Sequence, residues 1–308
     1  MKYYDTIIVG GGPAGLSAGI YAARAGLSAL LLEKLTPGGI ITTTEFVENY
    51  PGFIEPITGT ELMERMEKQA IKFGLLIDSG TVSAVLQENS CLKVSTENTS
   101  YKAHTVILAP GTSPKKLEVK GEDTLIGRGV SFCATCDGPL FKGSEVAVVG
   151  GGDSALEEAL YLSKLAEKVY IIHRRDQFRA AQVIQEKVFS SQNISIIWDS
   201  VVEEIQGNRK VETIVIRNVK SNETSFLPLQ GLFLYVGIIP NTQFLKGFIE
   251  LDEQGFIITD TNMMTNIPGV FAAGDARKKP LRQVVTAVSD GATASFSATN
   301  YLEGIKPR

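Results

Sequence analysis

One supersecondary pattern occurs twice in this 308-residue chain, and it limits the fold more than any other feature. The β-branched run Thr6–Val9 leads into Gly10-Gly11-Gly12-Pro13-Ala14-Gly15, and an alanine-rich helix is predicted from Leu16 to Ala25, stopped at Gly26. Ala29–Leu32 then reads as a second strand that ends at Glu33. Later in the chain, Val146–Val149 leads into Gly150-Gly151-Gly152-Asp153-Ser154-Ala155. A helix is predicted from there to about Ala166, and a strand Val169–Ile172 ends at His173. Strand, glycine turn and helix in that order bring backbone N–H groups and a helix N-terminus to a pyrophosphate. Two copies predict two nucleotide-binding domains, not one domain with a tail.

The length accommodates both, at roughly 150 residues per domain. Gly111 to Glu122 has a linker-like content of Gly, Ser, Pro and Lys, and Gly237-Ile238-Ile239-Pro240-Asn241 follows the apolar strand Gly231–Val236. The segment beyond residue 242 is short for a separate α/β domain, so it is expected to return and complete the first. The expected fold class is α/β, with two Rossmann-like nucleotide-binding domains. Residues 1–113 and 243–308 are expected to form one discontinuous nucleotide-binding domain, and 114–242 a second one inserted into it. The two crossings are the candidate hinges.

Composition narrows the class of function. Apolar residues make up 44% of the chain, which excludes disorder. Thirty Lys and Arg against 34 Asp and Glu give a net charge of −4, so no excess positive charge is available for nucleic acid. The longest mostly apolar run, Thr6–Ala23, is broken by glycines and Pro13, so neither a membrane span nor a signal peptide is read. Three cysteines are too few for a disulfide-stapled secreted fold. The expected setting is a reducing, cytoplasmic compartment.

The two glycine turns differ in what waits beside them. Gly10, Gly12 and Gly15 are followed by Glu33 at the end of the next strand, where a carboxylate can accept a ribose 2′-OH. This suits FAD; a glycine-rich turn beside a surface glutamate is the bland alternative. Behind Gly150 and Gly152, with Asp153, Ser154 and Ala155 opening the helix, the equivalent place holds His173, then Arg174, Arg175 and Arg179. No acid is present for a ribose hydroxyl, and guanidinium groups hold phosphate oxygens bidentately, so this site suits the 2′-phosphate of NADPH. A solvated basic loop is its bland alternative.

Cys133-Ala134-Thr135-Cys136, followed by Asp137-Gly138-Pro139, is the third element. Zinc needs about four ligands, and Cys91, His104 and His173 have no ligand spacing relative to this pair. A redox dithiol is therefore favoured, with no metal. Asp137 either moves protons for the thiols or opens the turn before Pro139. Cys91 reads as packing, His104 as a surface or strand-end residue, Glu157 and Glu158 as a solvated helix face, and Trp198 as core.

These pieces, in this order, resemble the low-molecular-weight bacterial thioredoxin reductases over nearly the whole chain. Further matches are Gly38-Gly39 with threonines 42 to 44, Glu48-Asn49-Tyr50-Pro51-Gly52, the run His173–Ala180, and Gly274-Asp275 with Arg282-Gln283. The resemblance implies that Cys136 lies beside the flavin, that Cys133 attacks thioredoxin, and that Asp137 is the acid/base. It implies FAD contacts from Gly10, Gly12, Pro13, Ala14, Gly15, Glu33 and Lys34. Gly38, Gly39, Ile40 and Asn49 would join them, as would Gly274, Asp275, Arg282, Gln283 and Val284. It also implies a homodimer, and a rotation of the inserted domain between two states.

Two positions depart from the pattern. Ile40 stands where Gln usually follows the Gly-Gly pair, and Ala109-Pro110-Gly111 stands where Ala-Thr-Gly is usual, so Pro110 removes a backbone donor. Some relatives take electrons from ferredoxin and lack the second fingerprint, which this chain retains. The resulting expectation is an NADPH-dependent FAD flavoprotein that reduces thioredoxin. Two rivals stay open: a dithiol oxidase on the same scaffold, which would not need the arginines, and a non-catalytic redox sensor, which would not need the CxxC.

Overall fold

The computed structural model describes residues 2–43, 47, 49–89 and 91–305. Thr44 and Glu48, among the matching pieces named for the family, lie outside the described residues, as do the side chains of Thr43 and Cys136. The chain divides into two compact units, residues 1–113 with 239–308, and residues 114–238. The return to the first unit at Ile239 precedes the expected boundary at 243.

The first unit opens with β1 (Tyr3–Val9), α1 (Pro13–Arg24) and β2 (Ala29–Glu33). It continues through α2 (Gly59–Lys72), β3 (Leu76–Ser79), β4 (Val82–Glu88), β5 (Cys91–Thr96), β6 (Ser100–Leu108) and β7 (Thr112–Pro114). The second unit holds α3 (Glu122–Leu125), β8 (Val130–Ser131), α4 (Ala134–Asp137), β9 (Glu145–Gly150), α5 (Asp153–Ser163) and β10 (Lys168–Ile172). It continues with α6 (Gln182–Ser190), β11 (Ile194–Ile197), β12 (Ser200–Gln206), β13 (Thr213–Asn218), β14 (Thr224–Pro228) and β15 (Gly231–Tyr235). The chain returns through β16 (Ile238–Pro240), then β17 (Val270–Ala272) and α7 (Val284–Ile305).

In the first unit one sheet runs β3-β2-β1-β6-β5-β4, with β17 also on β6. Its β3, β2, β1, β6 and β17 are parallel, while β4 and β5 add an antiparallel hairpin. Ile7 and Ile8 are both fully buried, because helices and loops cover the parallel sheet on both faces and each strand can be apolar throughout. Pro13 starts α1 one turn earlier than the alanine pattern predicts, since its missing N–H is an orphan at that position anyway. Gly26, with φ +76°, closes the helix in the left-handed region.

In the second unit the parallel sheet is β11-β10-β9-β15-β8, and β12-β13-β14 form a separate antiparallel sheet. The helix expected to reach Ala166 ends at Ser163, and the Leu165 carbonyl accepts from Gly143 N–H instead of continuing the helix. Each unit has its own apolar clusters on the two faces of its parallel sheet. The chain crosses between units in β7 and β16, which pair with each other.

Candidate active site

The first glycine turn is shaped by contacts that leave no room for side chains. Gly10 has φ +102°, and a Cβ there would strike the Ala109 carbonyl, while a Cβ on Gly15 would strike the Gly10 carbonyl. Gly12 instead faces open space, with nothing within 4 Å of the place a Cβ would occupy. The turn therefore presents bare backbone at the N-terminus of α1, as a pyrophosphate requires. Glu33 Oε2 accepts from Gly11 N–H at 2.7 Å, which fixes this carboxylate beside the turn. Gly38 N–H donates to Gly11 O at 2.8 Å, bringing Gly38-Gly39 to the same place. Ile40 opens a short 3₁₀ turn and is 51% exposed. Pro110, although it lacks a donor, uses its carbonyl to accept from Asn241 Nδ2 at 3.0 Å.

The segment after β17 lies against this turn. Gly274, with φ +78°, is so close to α1 that a Cβ would come 2.8 Å from Ala14 Cβ. Arg282 donates to the carbonyls of Asp275 (3.1 Å) and Arg277 (3.2 Å) and stacks over Phe256 at 4.2 Å. Gln283 accepts from Asn49 Nδ2 at 3.2 Å. Oδ1 of Asp275 is buried and has no hydrogen-bond partner among the described residues. Burial pushes the Asp275 carboxyl above the usual carboxylate range, opposed by Lys279 and Arg282 and reinforced by Asp290. A buried acceptor of this kind calls for a donor, and a ligand hydroxyl fits. The bare glycine turn and the orphaned Asp275 oxygen together fit FAD.

In the second unit, Gly150 sits where a Cβ would come 2.6 Å from both Ala155 Cβ and the Tyr235 carbonyl, whereas Gly152 faces open space. Asp153 is engaged structurally: its Oδ1 accepts from Ala181 N–H at 2.7 Å, just before α6. Arg179 N–H donates to Gly151 O at 2.8 Å, so the basic loop folds back on the glycine turn. Arg174, Arg175 and Arg179 are exposed on the segment that follows β10, which fits a 2′-phosphate. His173 differs from them. It is 5% exposed, its Nε2 lies 3.1 Å from Gln177 O, and its ring packs against Phe178 and Trp198. Burial lowers its pKa, against the raising effect of the Gln177 hydrogen bond, and the charges of Arg179 and Arg175 lower it further. A Cβ on Gly151 would run into this ring, so His173 props the glycine turn from behind.

The redox turn is also in the second unit. Cys133 N–H donates to Ser131 Oγ at 3.0 Å, and that hydroxyl donates to Cys133 O at 3.1 Å. Ala134 N–H donates to Tyr235 Oη at 2.9 Å, and Thr135 Oγ1 lies 3.4 Å from Cys133 Sγ. Asp137 closes α4, its N–H on the Cys133 carbonyl at 3.2 Å. Burial raises the Tyr235 phenol far above its ordinary pKa, helped by the charge of Glu158.

Ser131, Tyr235, Asp290 and Lys279 were not singled out by the sequence. A serine two residues before a cysteine is a local turn signal that could have found Ser131. Asp290, the only charged residue between Val284 and Leu302, could have been found as an acid in a helix of small residues. Tyr235 has no local signal. Of the residues read as bland, Cys91 is a free thiol on β5. His104 lies within β6 and not at its end, 3.1 Å from the Tyr3 hydroxyl. Glu157 is exposed as expected, but Glu158 is half-buried. Among the described residues no group of three or more His, Cys, Asp or Glu could hold a metal ion, and no helix is long and apolar enough to cross a membrane.

Residues 4–291 match the family described as pyridine nucleotide-disulphide oxidoreductase. The chain is 47% identical over 306 residues to a thioredoxin reductase of Peptoclostridium acidaminophilum, covering 97% of each. It is 45% identical over 309 residues to one of Listeria innocua, covering 99% of this chain and 96% of the other. The crystal structure of Lactococcus lactis thioredoxin reductase is 43% identical, with a TM-score of 0.95 over 98% of this chain and 100% of that one.

Proposed function

The chain belongs to the pyridine nucleotide-disulphide oxidoreductase family, and from that premise we propose that it is an NADPH-dependent FAD flavoprotein that reduces the disulfide of thioredoxin through Cys133 and Cys136. The observation that carries this reading is the full-length likeness to thioredoxin reductases in a chain that keeps both glycine turns and the CxxC. In this reading the first unit binds FAD, through Gly10, Gly12, Gly15, Glu33 and the 274–284 segment. The second binds NADPH, through Gly150, Gly152 and the three arginines. Bound FAD supplies the two-electron link between the nicotinamide and the disulfide.

The thiol chemistry belongs to the chain. Cys133 thiolate attacks one sulfur of the thioredoxin disulfide, forming a mixed disulfide and expelling the other sulfur as thiolate. Cys136 thiolate then attacks Cys133 Sγ, which re-forms the Cys133–Cys136 disulfide and releases the second thioredoxin sulfur. Two electrons pass to thioredoxin, and two protons complete its dithiol. Asp137, whose N–H on the Cys133 carbonyl closes the redox turn, is the proposed proton carrier. A homodimer working in the cytoplasm is the remaining part of the reading, and the family resemblance supports it.

The oxidase rival leaves the arginines without a purpose, and the sensor rival leaves the CxxC without one. The discriminating experiment follows NADPH consumption by the purified protein with air or thioredoxin disulfide as acceptor. Turnover that depends on thioredoxin and is indifferent to oxygen is expected. Turnover with oxygen alone would establish the oxidase, and none with either acceptor the sensor.

A further inference from the structure

Asp290 sits on α7, 8% exposed, and gathers three donors on one oxygen. Its Oδ2 accepts from Lys279 Nζ at 2.7 Å and from Gly274 N–H at 3.1 Å, and lies 2.9 Å from Arg277 Nη1. The side chains of Lys279 and Arg277 are themselves only 8% and 10% exposed. A buried ion cluster is a poor stabiliser, since an apolar set of similar volume is often as stable or more so. Its geometric effect here is specific. Gly274 N–H is held on one side by Asp290, while a Cβ on the neighbouring Gly291 would strike the Ala14 carbonyl at the start of α1. The two consecutive residues of α7 thus touch the two segments assigned to FAD. Arg282, tied to the carbonyls of Asp275 and Arg277, extends the hold along the 274–282 loop. What remains without a partner within this knot is Asp275 Oδ1.

We propose that Asp290 is a positioning residue of the FAD site: its carboxylate sets where Gly274, Asp275 and Arg282 stand relative to the first glycine turn, without itself contacting the cofactor. The proposal rests on the FAD reading of the first unit. Asp290→Ala removes all three contacts, whereas Asp290→Asn keeps an acceptor for Gly274 N–H but strips the charge that pairs Lys279 and Arg277.

The test uses holoprotein and follows FAD release on dilution by the rise in flavin fluorescence, together with the visible absorption band of the bound flavin. Asp290→Ala is expected to release FAD at least tenfold faster than wild type with a shifted band, and Asp290→Asn to fall between the two. Should the alanine variant fail to fold, the asparagine variant carries the test on its own, with faster release and a shifted band expected. Variants that melt at a lower temperature but release FAD at the wild-type rate, with an unchanged band, would show a merely structural role and overturn the proposal. Wild-type protein that takes up no FAD would overturn the cofactor reading and this proposal with it; wild-type protein that holds FAD no better than the variants overturns the proposal alone.

Discussion

Ala134 and Tyr235, 101 positions apart in the chain, are joined by a 2.9 Å hydrogen bond from the Ala134 amide to the tyrosine hydroxyl. Ala134 follows Cys133 directly and is fully buried, and Tyr235 ends β15 in register with Gly150. One phenol thus ties the start of the redox turn to the strand that flanks the second glycine turn. Tyr235→Phe keeps the ring but leaves a buried N–H without its acceptor, which costs about 1–3 kcal/mol. The expected result is a lower urea midpoint with an unchanged slope, together with slower thioredoxin reduction. A midpoint equal to that of wild type would show that another acceptor takes the amide.

The two cysteines of the redox turn are expected to act after the flavin. Cys133→Ser and Cys136→Ser should each abolish thioredoxin reduction and leave flavin reduction by NADPH intact. Cys91→Ser should change neither, since Cys91 lies on β5 in the first unit with its thiol on the Glu88 carbonyl at 3.3 Å. Stopped-flow bleaching of the flavin band and steady-state turnover separate the two steps.

Cofactor choice is expected to lie in the arginine loop. Neutralising Arg174, Arg175 or Arg179 removes a charge-assisted contact worth about 1.5 kcal/mol, or about tenfold in KM for NADPH. The same substitutions should leave KM for NADH unchanged, because NADH has no 2′-phosphate. Equal losses with both cofactors would make the arginines scaffold.

The sequence made the strand–turn–helix units legible because their signals are local. Thr6–Val9, Ala29–Glu33 and Val169–Ile172 lie within observed strands, and the glycines between them are required by close backbone contacts at Gly10 and Gly15. The CxxC, the arginines and Glu33 were legible for the same reason. The antiparallel sheet β12–β14 and the β4–β5 hairpin were not singled out, since their alternation gave no motif to anchor them. Residues that act across the fold were also hidden. Tyr235 reaches Ala134 only through the β15–β9 pairing, and Asp290 meets Gly274 only because α7 packs on α1. His173 was legible as a position but not as a role, because the rings of Phe178 and Trp198 that bury it come from later in the chain.

That burial gives His173 a pH signature. Its folded pKa lies below the ordinary 6.5, so as pH falls through 6.5 the unfolded chain takes the proton first. Stability is therefore full above 6.5 and declines as pH drops below it toward the lowered folded value. His173→Gln should flatten this part of the curve of unfolding free energy against pH. A slope that persists in the variant would assign the loss to other groups.

In the proposed function, electrons pass from NADPH to thioredoxin by way of Cys133 and Cys136. The most direct measurement is anaerobic: NADPH is added to the purified yellow protein, the flavin band is recorded, and thioredoxin disulfide is then mixed in. The predicted result is bleaching by NADPH, recovery of the band on mixing, and one thioredoxin dithiol formed for each NADPH oxidised. In Cys136→Ser protein the bleached band is predicted to stay bleached when thioredoxin is added. A flavin that NADPH does not bleach, or a band that recovers equally well without Cys136, would contradict this electron path.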